Sequence, residues 1–347
     1  TNDKKNYGKA RLIRVFEPSP ERVTPPCPYI QACGGCQYQH LHYENELRWK
    51  EAQVRESFLK GFGDSVPPIR PIRRSPKELG YRQSITLHRT VKTNQKPHRL
   101  AFIGRDNYSF VFIDNCLLAD EALKTVFASE HALGKYESKR IFKVERGKGI
   151  VSSEEDRLYR VLLENELLWG HSRGFFQNNL GVTEMVAKEL SEIIRDINPS
   201  RFIDLYAGVG TFSILSARKV PELCCFEESI YAIDCLKRNL KERNLSAAIF
   251  KGRVEQTFPN FWLGNREEGT LIFLDPPRLG ITRELAEFFS KAEKISDIVY
   301  LACDLQILIR DLRILLSKGR YQITSVVPFD MFPRTKHLEV LARLKRV

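Results

Sequence analysis

The feature that most constrains the fold of this chain is a strand, a glycine turn and a helix in direct succession at residues 202–212. The apolar run that begins at residue 202 predicts a buried strand with the acidic Asp204 at its end. Gly208 and Gly210 follow in a tight turn, where a backbone without Cβ atoms lets a ligand approach closely. This order predicts the first βα unit of a nucleotide-binding α/β domain.

The turn and the next strand indicate the class of ligand. Dinucleotide-binding turns have a third glycine, and Ser213 stands at that position here. The next apolar run ends at Glu227, where a carboxylate can accept hydrogen bonds from ribose hydroxyls. The sequence therefore favours a nucleoside-type cofactor such as S-adenosylmethionine over a pyrophosphate ligand. The alternative is an ordinary turn without a ligand.

Strands and helices alternate through the rest of the C-terminal half, which predicts a doubly wound sheet. Helices are expected at about 182–194, 230–243 and 305–317, and strands at 247–251, 270–274, 298–304, 321–327 and 337–344. Residues 252–269 are expected to form a loop. Asp275 and Cys303 end two of these strands, so they should share one rim with Asp204 and Glu227. The amide-rich run 174–179 is placed to line the cofactor pocket, through Gln177 and Asn179, and the alternative is that it only starts the helix that follows.

Positive charge is concentrated near the N-terminus of a chain whose formal net charge is +12. Residues 1–99 carry 19 Lys and Arg against 9 Asp and Glu, whereas the remainder carries 36 against 34. Residues 70–99 hold nine basic residues and a single acid, Glu78, and residues 81–89 alternate as a strand does. This pattern favours contact with the phosphates of a nucleic acid through Arg73, Arg74 and Arg82. The alternative is a solvated basic face.

Eight cysteines without an apolar leader segment indicate a reducing compartment, where thiols bind metals or do chemistry. Three of them lie within ten residues and can enclose one centre: Cys27, Cys33 and Cys36. Cys116 is the candidate fourth ligand of an iron–sulfur site. The alternative is zinc, with His40 or His42 as the fourth ligand. Disulfides are the third possibility, and the compartment argues against them.

A thiolate close to a sulfonium cofactor indicates a methyl transfer that needs covalent help, and C5 of a pyrimidine is such a target. Attack of a thiolate at C6 gives an enolate that takes the methyl group at C5, and a base then removes the C5 proton. Cys303 fits the nucleophile and Glu339 fits the base. The alternatives are an inert buried cysteine and a solvated strand residue.

Eight stretches together carry a family resemblance over nearly the whole chain. They are Ser19-Pro20-Glu21-Arg22, Cys27…Cys33-Gly34-Gly35-Cys36, Cys116, Phe176-Gln177-x-Asn179, Asp204-Leu205-Tyr206-Ala207-Gly208-Val209-Gly210, Asp275-Pro276, Cys303, and Phe332-Pro333-x-Thr335-x-His337-Leu338-Glu339. With these motifs the chain resembles the S-adenosylmethionine-dependent RNA (uracil-C5)-methyltransferases, especially the iron–sulfur members that modify 23S ribosomal RNA.

The resemblance implies a role for each matching residue. It implies that Cys303 is the nucleophile and that Glu339 removes the proton. It implies that the cofactor is contacted by Gln177, Tyr206, Glu227 and Asp275. It also implies a 4Fe-4S cluster, structural or RNA-positioning, on Cys27, Cys33, Cys36 and Cys116.

The chain departs from the family pattern in three places. The family follows its catalytic cysteine with Asn-Pro or Asp-Pro, whereas Asp304-Leu305 follows Cys303, which predicts a less constrained loop. Arg253 stands where the family often has a polar or acidic residue near the adenine. Residues 10–16 alternate as one strand does. Residues 1–26 resemble only the last strand and the exit of the TRAM β-barrel that opens many members.

These observations predict an α/β protein of three segments. Residues 1–26 would be the remnant of the barrel, and residues 27–173 a smaller α+β domain for the iron–sulfur cluster and RNA, with a helix at about 41–60 that packs on the catalytic domain. Residues 174–347 would form the doubly wound Rossmann-like methyltransferase domain. The expected substrate is 23S rRNA, with tRNA as the alternative. Two rival hypotheses are a catalytically weak RNA-binding protein with a structural cluster and an iron–sulfur redox protein. We expect a cytoplasmic monomer that does not associate with membranes.

Overall fold

The computed structural model describes residues 2–4, 7–9, 12–90, 100–128 and 138–347. Before residue 180 the strands are β1 (Asn2–Lys4), β2 (Tyr7–Lys9), β3 (Ser84–Arg89), β4 (Leu100–Ile103), β5 (Phe110–Val111), β6 (Lys139–Glu145), β7 (Gly149–Ser152), β8 (Leu158–Leu163) and β9 (Glu166–His171). The helices of this part are α1 (Tyr43–Phe62) and α2 (Glu121–Ala128), with 3₁₀ turns at Gly63–Ser65 and Ser153–Glu155.

The C-terminal half alternates strands and helices. Its helices are α3 (Leu180–Ile197), α4 (Thr211–Ser216), α5 (Ile230–Lys241), α6 (Val254–Gly264), α7 (Arg283–Lys291) and α8 (Leu305–Leu315). Its strands are β10 (Arg201–Leu205), β11 (Glu222–Glu227), β12 (Ala248–Lys251), β13 (Thr270–Leu274), β14 (Ile295–Ala302), β15 (Tyr321–Phe329) and β16 (Glu339–Arg346).

The C-terminal strands form one seven-stranded sheet in the order β12-β11-β10-β13-β14-β16-β15. The first five of these strands are parallel, and β16 runs antiparallel between β14 and β15. Every residue of β10 and β13 is buried, as expected for central strands that helices cover on both faces. The predicted doubly wound, Rossmann-like α/β fold is therefore confirmed.

The N-terminal part forms its own antiparallel sheet but also packs on the C-terminal half. Its sheet has the strand order β5-β4-β3-β6-β7, and β8 and β9 form a separate hairpin. Val54 and Phe58 of α1 belong to the same apolar cluster as Leu308 and Leu312 of α8. The first long helix thus packs against α8 of the C-terminal half. The domain boundaries after residues 26 and 173 stay a prediction.

Two predictions about secondary structure were wrong. The alternating segment 10–16 was expected to be a strand, but its described residues 12–16 form none, and Ile13 is 94% exposed. Residues 10 and 11 lie outside the described residues. The segment 252–269 was expected to be a loop, but it contains helix α6. Pro259, a residue that usually breaks helices, lies inside α6, and the buried Trp262 anchors the helix in the core. No helix in the described part of the chain is long and apolar enough to cross a membrane.

Candidate active site

The carboxyl ends of the parallel strands bring three of the predicted residues to one rim, and the fourth, Asp204, lies one residue before the end of β10. Glu227 ends β11, and Asp275 and Cys303 directly follow β13 and β14. The Asp275 backbone N–H donates to the Leu205 carbonyl oxygen at 3.3 Å, which ties the end of β13 to the end of β10. The rim that the sequence predicted is thus present, at the edge where ligands bind in sheets of this kind.

The register of β14 and β16 places Cys303 opposite Glu339. The two strands are antiparallel, and Ala302 pairs with Val340. The next pair in this register is Cys303 with Glu339, one residue beyond the last ladder pair on each strand. Directly opposite residues of antiparallel strands have Cβ atoms about 4.5–5.5 Å apart. An antiparallel strand inserted into a parallel sheet therefore brings a thiol and a carboxyl group to the same rim.

The Glu339 carboxyl group is buried and incompletely bonded. Its Oε2 has no hydrogen-bond partner among the described residues. Burial raises the pKa of Glu339 well above its usual value, Asp275 raises it further, and Arg278 opposes the rise. A carboxylate with a raised pKa is a stronger base, which suits proton abstraction.

The Cys303 thiol is partly buried, with two carboxyl groups and one arginine close to it. Burial raises its pKa to about 12, and the negative charges of Glu339 and Asp275 add to the rise. Arg278 acts in the opposite direction on both Cys303 and Glu339. The resting thiol is therefore protonated near neutral pH. Arg278 is the cation that favours its ionised form.

Asp304 constrains the segment after Cys303, where the family has a proline and this chain has none. Its Oδ1 accepts hydrogen bonds from the backbone N–H groups of Gln306 and Ile307, at 3.0 and 3.1 Å, and so caps the N-terminus of α8. A side-chain cap of this kind stabilises a helix start by about 1 kcal/mol. The cap therefore fixes the segment after Cys303, so this loop is more constrained than the sequence predicted.

The glycine turn next to Asp204 has the features of a cofactor cradle. Gly208 has a φ of +56°, and a Cβ built there would meet nothing within 4 Å, so the turn borders open space. The Gly208 N–H donates to Glu227 at 2.8 Å, and Glu227 also accepts from the Ser229 N–H at 2.7 Å. The Ser213 hydroxyl donates to Asp204 at 2.6 Å. These acidic groups fit the hydroxyls and the positive sulfur of S-adenosylmethionine.

Two carboxyl groups at this rim have raised pKa values, so they hold their protons up to a higher pH than usual. Burial raises the pKa of Asp204 to about 7, and Ser213 opposes the rise. Burial likewise raises the pKa of Asp275 to about 7, and Asp204 contributes to it. The Gln177 side-chain amide donates to Asp275 at 3.2 Å, which brings these two predicted cofactor residues together. A cation bound here would favour ionisation of both carboxyl groups.

Asn179 and Tyr206 have structural partners. The Asn179 side chain accepts from the Val182 N–H and so caps α3, while its amide donates to Ser75 Oγ and to the Met331 carbonyl, both at 3.0 Å. Its polar atoms therefore join three segments instead of pointing at the cradle. The Tyr206 hydroxyl donates to Glu255 at 2.8 Å.

The four N-terminal cysteines lie near one another. Burial raises the pKa of Cys33, and Cys116 and Cys27 are close enough to raise it further. Cys36 packs with Cys116, Tyr81 and Leu118 in a small apolar cluster. Among the residues that the structure describes, however, no group of three or more Cys, His, Asp and Glu side chains converges as a metal site.

Arg82 lies beside these cysteines. Its Nε is buried and has no hydrogen-bond partner in the described part of the chain. Burial opposes the charge of Arg82, but its contact with Tyr81 and its proximity to Cys116 keep its pKa raised. The structure thus places Arg82 next to the cysteine group, and its phosphate contact stays a prediction.

The two other predicted phosphate contacts are on the surface and are paired with acids. Arg73 lies 3.6 Å from Glu189, and Arg74 lies 2.9 Å from Glu44. About half of each arginine side chain is exposed, at 43% and 57%. The end of the basic stretch, residues 91–99, lies outside the described residues.

Comparison with known proteins decides the family. The family model described as tRNA (uracil-5-)-methyltransferase matches residues 160–347, which is more than half of the chain. The chain belongs to this family. It is thus an RNA (uracil-C5)-methyltransferase that uses S-adenosylmethionine, as the sequence motifs implied.

Individual proteins also resemble the chain over nearly its full length. An uncharacterized RNA methyltransferase of Protochlamydia amoebophila is 27% identical, with 99% of this chain and 88% of that protein covered. One from Synechocystis is 28% identical, with 99% and 87% covered. The structure of Pyrococcus abyssi tRNA (uracil-54, C5)-methyltransferase, solved with S-adenosyl-L-homocysteine, superimposes with a TM-score of 0.71 at 22% identity and covers 95% of this chain and 88% of that one.

Arg278 is a rim residue that no local sequence pattern singles out. It ends the run Asp275-Pro276-Pro277-Arg278, whose prolines favour a rigid turn, and nothing in that run indicates that its side chain acts on Cys303. Its position after the strand that ends at the rim was the one available signal.

Proposed function

We propose that this methyltransferase acts on C5 of a specific uridine through a covalent bond between Cys303 and C6 of the base. The observation that carries the proposal is the register that sets Cys303 opposite Glu339 at the rim. The raised pKa of Glu339 and the nearby Arg278 support a base and a thiol activator in the same place.

In the proposed reaction the Cys303 thiol first loses its proton to solvent, and its sulfur then bonds to C6 while the C5–C6 electron pair moves into the enolate of the ring. S-adenosylmethionine would supply the methyl group: the bond from its sulfonium sulfur to the methyl carbon breaks as that carbon bonds to C5, and S-adenosyl-L-homocysteine leaves. Glu339 takes the C5 proton, the C5–C6 double bond re-forms, and the thiolate leaves C6. The uridine must leave its stack to reach the rim, as enzymes that act on bases require.

The experiment stops the reaction between its two halves. Glu339→Gln keeps the nucleophile but removes the base, so attack and methyl transfer proceed and elimination does not. A methylated protein–RNA adduct should accumulate and survive denaturing electrophoresis, and RNase should trim it to a nucleotide tag on Cys303. Substrate RNA with 5-fluorouridine should trap the unmodified enzyme in the same way, because fluorine cannot leave as a proton does.

The location of the tag is the decisive readout. A tag on Cys224, Cys225 or Cys235 would contradict the assignment, and so would full turnover by Glu339→Gln. Those three cysteines are buried in the sheet and its helices, so they serve as internal controls in the same digest.

The proposed substrate is a uridine of 23S rRNA. The proposal is supported by the cysteine motif, which resembles that of the iron–sulfur members acting on this RNA. The alternative is tRNA, which appears in the names of both the matching family and the Pyrococcus abyssi enzyme. Mapping 5-methyluridine in ribosomal and transfer RNA from a deletion strain decides between them, because the target position loses its methyl group.

We also propose that the N-terminal cysteines hold a 4Fe-4S cluster, on Cys27, Cys33, Cys36 and Cys116. The proximity of the thiols and the unpartnered Nε of Arg82 support it. The cluster would hold the surrounding loops together.

Arg73 and Arg74 are the proposed phosphate contacts. The enzyme is further proposed to act as a monomer in the cytoplasm, where its thiols stay reduced.

A further inference from the structure

The loop that leads to Glu339 adopts a conformation that needs outside support. This loop, residues 330–338, connects β15 to β16. Its Arg334 has a φ of 68°, in the left-handed region that is costly for a residue with a side chain. Such strain persists only where surrounding contacts hold it, and it is concentrated at functional sites.

The contacts that hold Arg334 come from the N-terminal part of the chain. Its backbone N–H donates to Glu46 at 2.7 Å. Its carbonyl oxygen accepts from the backbone N–H groups of Gln37 and Tyr38, at 3.0 and 3.1 Å. Its guanidinium donates to the Leu41 carbonyl at 2.9 Å. Both backbone polar groups of the strained residue are thus satisfied by residues some 290 positions away in sequence.

The start of the same loop is anchored to α1. Lys50 is fully buried, and its ammonium lies 2.6 Å from Asp330 and 2.8 Å from Glu46. It also donates to the Phe332 carbonyl at 3.2 Å. Breaking a buried ion pair is strongly destabilising, so α1 fixes the first residues of the loop firmly.

Gln37 connects the cysteine loop (residues 27–36) with this loop. Its amide nitrogen donates to the Gly34 carbonyl at 3.0 Å, between Cys33 and Cys36. Its amide oxygen accepts from the Lys336 N–H at 3.1 Å, three residues before Glu339. One side chain therefore spans from the cysteine loop to the segment that carries the base.

We propose that Gln37 is a positioning residue for Glu339, through which the cysteine loop sets the position of the catalytic base. Glu339 needs such help because its own Oε2 has no partner among the described residues, so its backbone and packing decide where the carboxylate lies. This role gives the cysteine loop a direct connection to the second half of the reaction. The inference rests on the proposed function of Glu339.

The test uses the full-length protein and two substitutions at one position. Gln37→Met removes both hydrogen bonds of the side chain. Gln37→Glu keeps an acceptor for the Lys336 N–H but loses the donor to Gly34. Gln31→Met is the matched control, because it makes the same chemical change at an exposed position of the same loop.

Elimination should slow roughly three- to tenfold in Gln37→Met, the effect of a lost hydrogen bond, while KM for RNA and the rate of attack stay near wild type. The methylated adduct should then build up, and the backbone amides of residues 335–339 should exchange hydrogen faster. Gln37→Glu should restore slow exchange at Lys336.

The inference is overturned if Gln37→Met matches Gln31→Met in adduct level and in hydrogen exchange. It is also overturned if attack and elimination slow equally, since that is the result of a general loss of structure. Failure of Glu339→Gln to give any adduct would refute the proposed function instead, and the exchange data would still decide whether Gln37 holds the loop.

Discussion

The N-terminal part and the C-terminal half of the chain each contain four cysteines, and the two sets differ in their surroundings. The N-terminal four lie in loops close to one another, and only Cys36 is buried. In the sheet region, Cys224, Cys225 and Cys235 are buried among apolar side chains, and only Cys303 is partly exposed, at the rim. The comparison teaches that neighbours decide the role of a thiol: grouped thiols suit a metal, a rim thiol suits nucleophilic attack, and buried thiols serve as small apolar residues.

The largest effect should come from removing the rim thiol. Cys303→Ala leaves no nucleophile for C6, so methyl transfer to RNA should fall by a factor of roughly 10⁴ or more. Cys235→Ala makes the same change in the buried set and should keep most of the activity. Transfer of a labelled methyl group to RNA measures both. Near-normal activity in Cys303→Ala would contradict the assignment of the rim thiol as the nucleophile.

Removing one thiol of the N-terminal group should change the metal content instead. Cys116→Ser should reduce the iron bound per protein towards zero after purification without oxygen, with loss of the visible absorbance. Cys224→Ser should keep the iron of the wild type. A colourless wild-type protein with stoichiometric zinc would replace the iron–sulfur assignment with the zinc alternative.

How far the sequence predicts this molecule differs between the same two regions. The strand 270–274 was predicted at its observed bounds, because a strand buried on both faces is a continuous apolar run. The motif residues of the rim were also predicted, since each follows such a run. The N-terminal part was harder, because segment 10–16 alternates without packing on a sheet over its described residues.

Contacts between distant segments were beyond the sequence. The opposition of Cys303 and Glu339 depends on where β16 enters the sheet, and no local pattern encodes that register. The same holds for the position of Arg82 beside the cysteines and for the contact of Gln37 with Lys336. Local patterns specify elements, whereas these contacts depend on how elements pack.

The rim should bind its cofactor in a pH-dependent way, with a smaller effect than the loss of a cysteine. Asp275 has a raised pKa of about 7, so below that pH it is protonated in the free protein. The sulfonium cation of S-adenosylmethionine favours the ionised carboxylate, so affinity for this cofactor should rise as pH increases from about 6 to 7. The rise should be at most about tenfold for each carboxyl group that ionises, and affinity should stay constant above pH 7.

Calorimetry of ligand binding across this pH range measures the effect. S-adenosyl-L-homocysteine, which lacks the positive sulfur, is the matched control and should show a flatter profile. Asp275→Asn should flatten the profile of S-adenosylmethionine towards that of the control. Equal pH profiles for the two ligands in the wild type would mean that the carboxyl groups at the rim do not sense the sulfonium charge.

The smallest effect concerns the exposed arginines Arg73 and Arg74. Arg73 and Arg74 are about half exposed and each already faces a carboxylate, so a phosphate must compete with Glu189 or Glu44 for them. Each contact with a phosphate of single-stranded RNA contributes about 0.7 to the slope of log K against the logarithm of the salt concentration. If both arginines make such contacts, changing both to Gln should reduce the magnitude of this slope by at most about 1.4. Arg82→Gln is the informative control, because its side chain lies with the cysteines: it should lower the iron content and leave the salt slope unchanged. A flatter slope in Arg82→Gln and an unchanged one in the double variant would move the RNA path from the surface of α1 and α3 to the cysteine group.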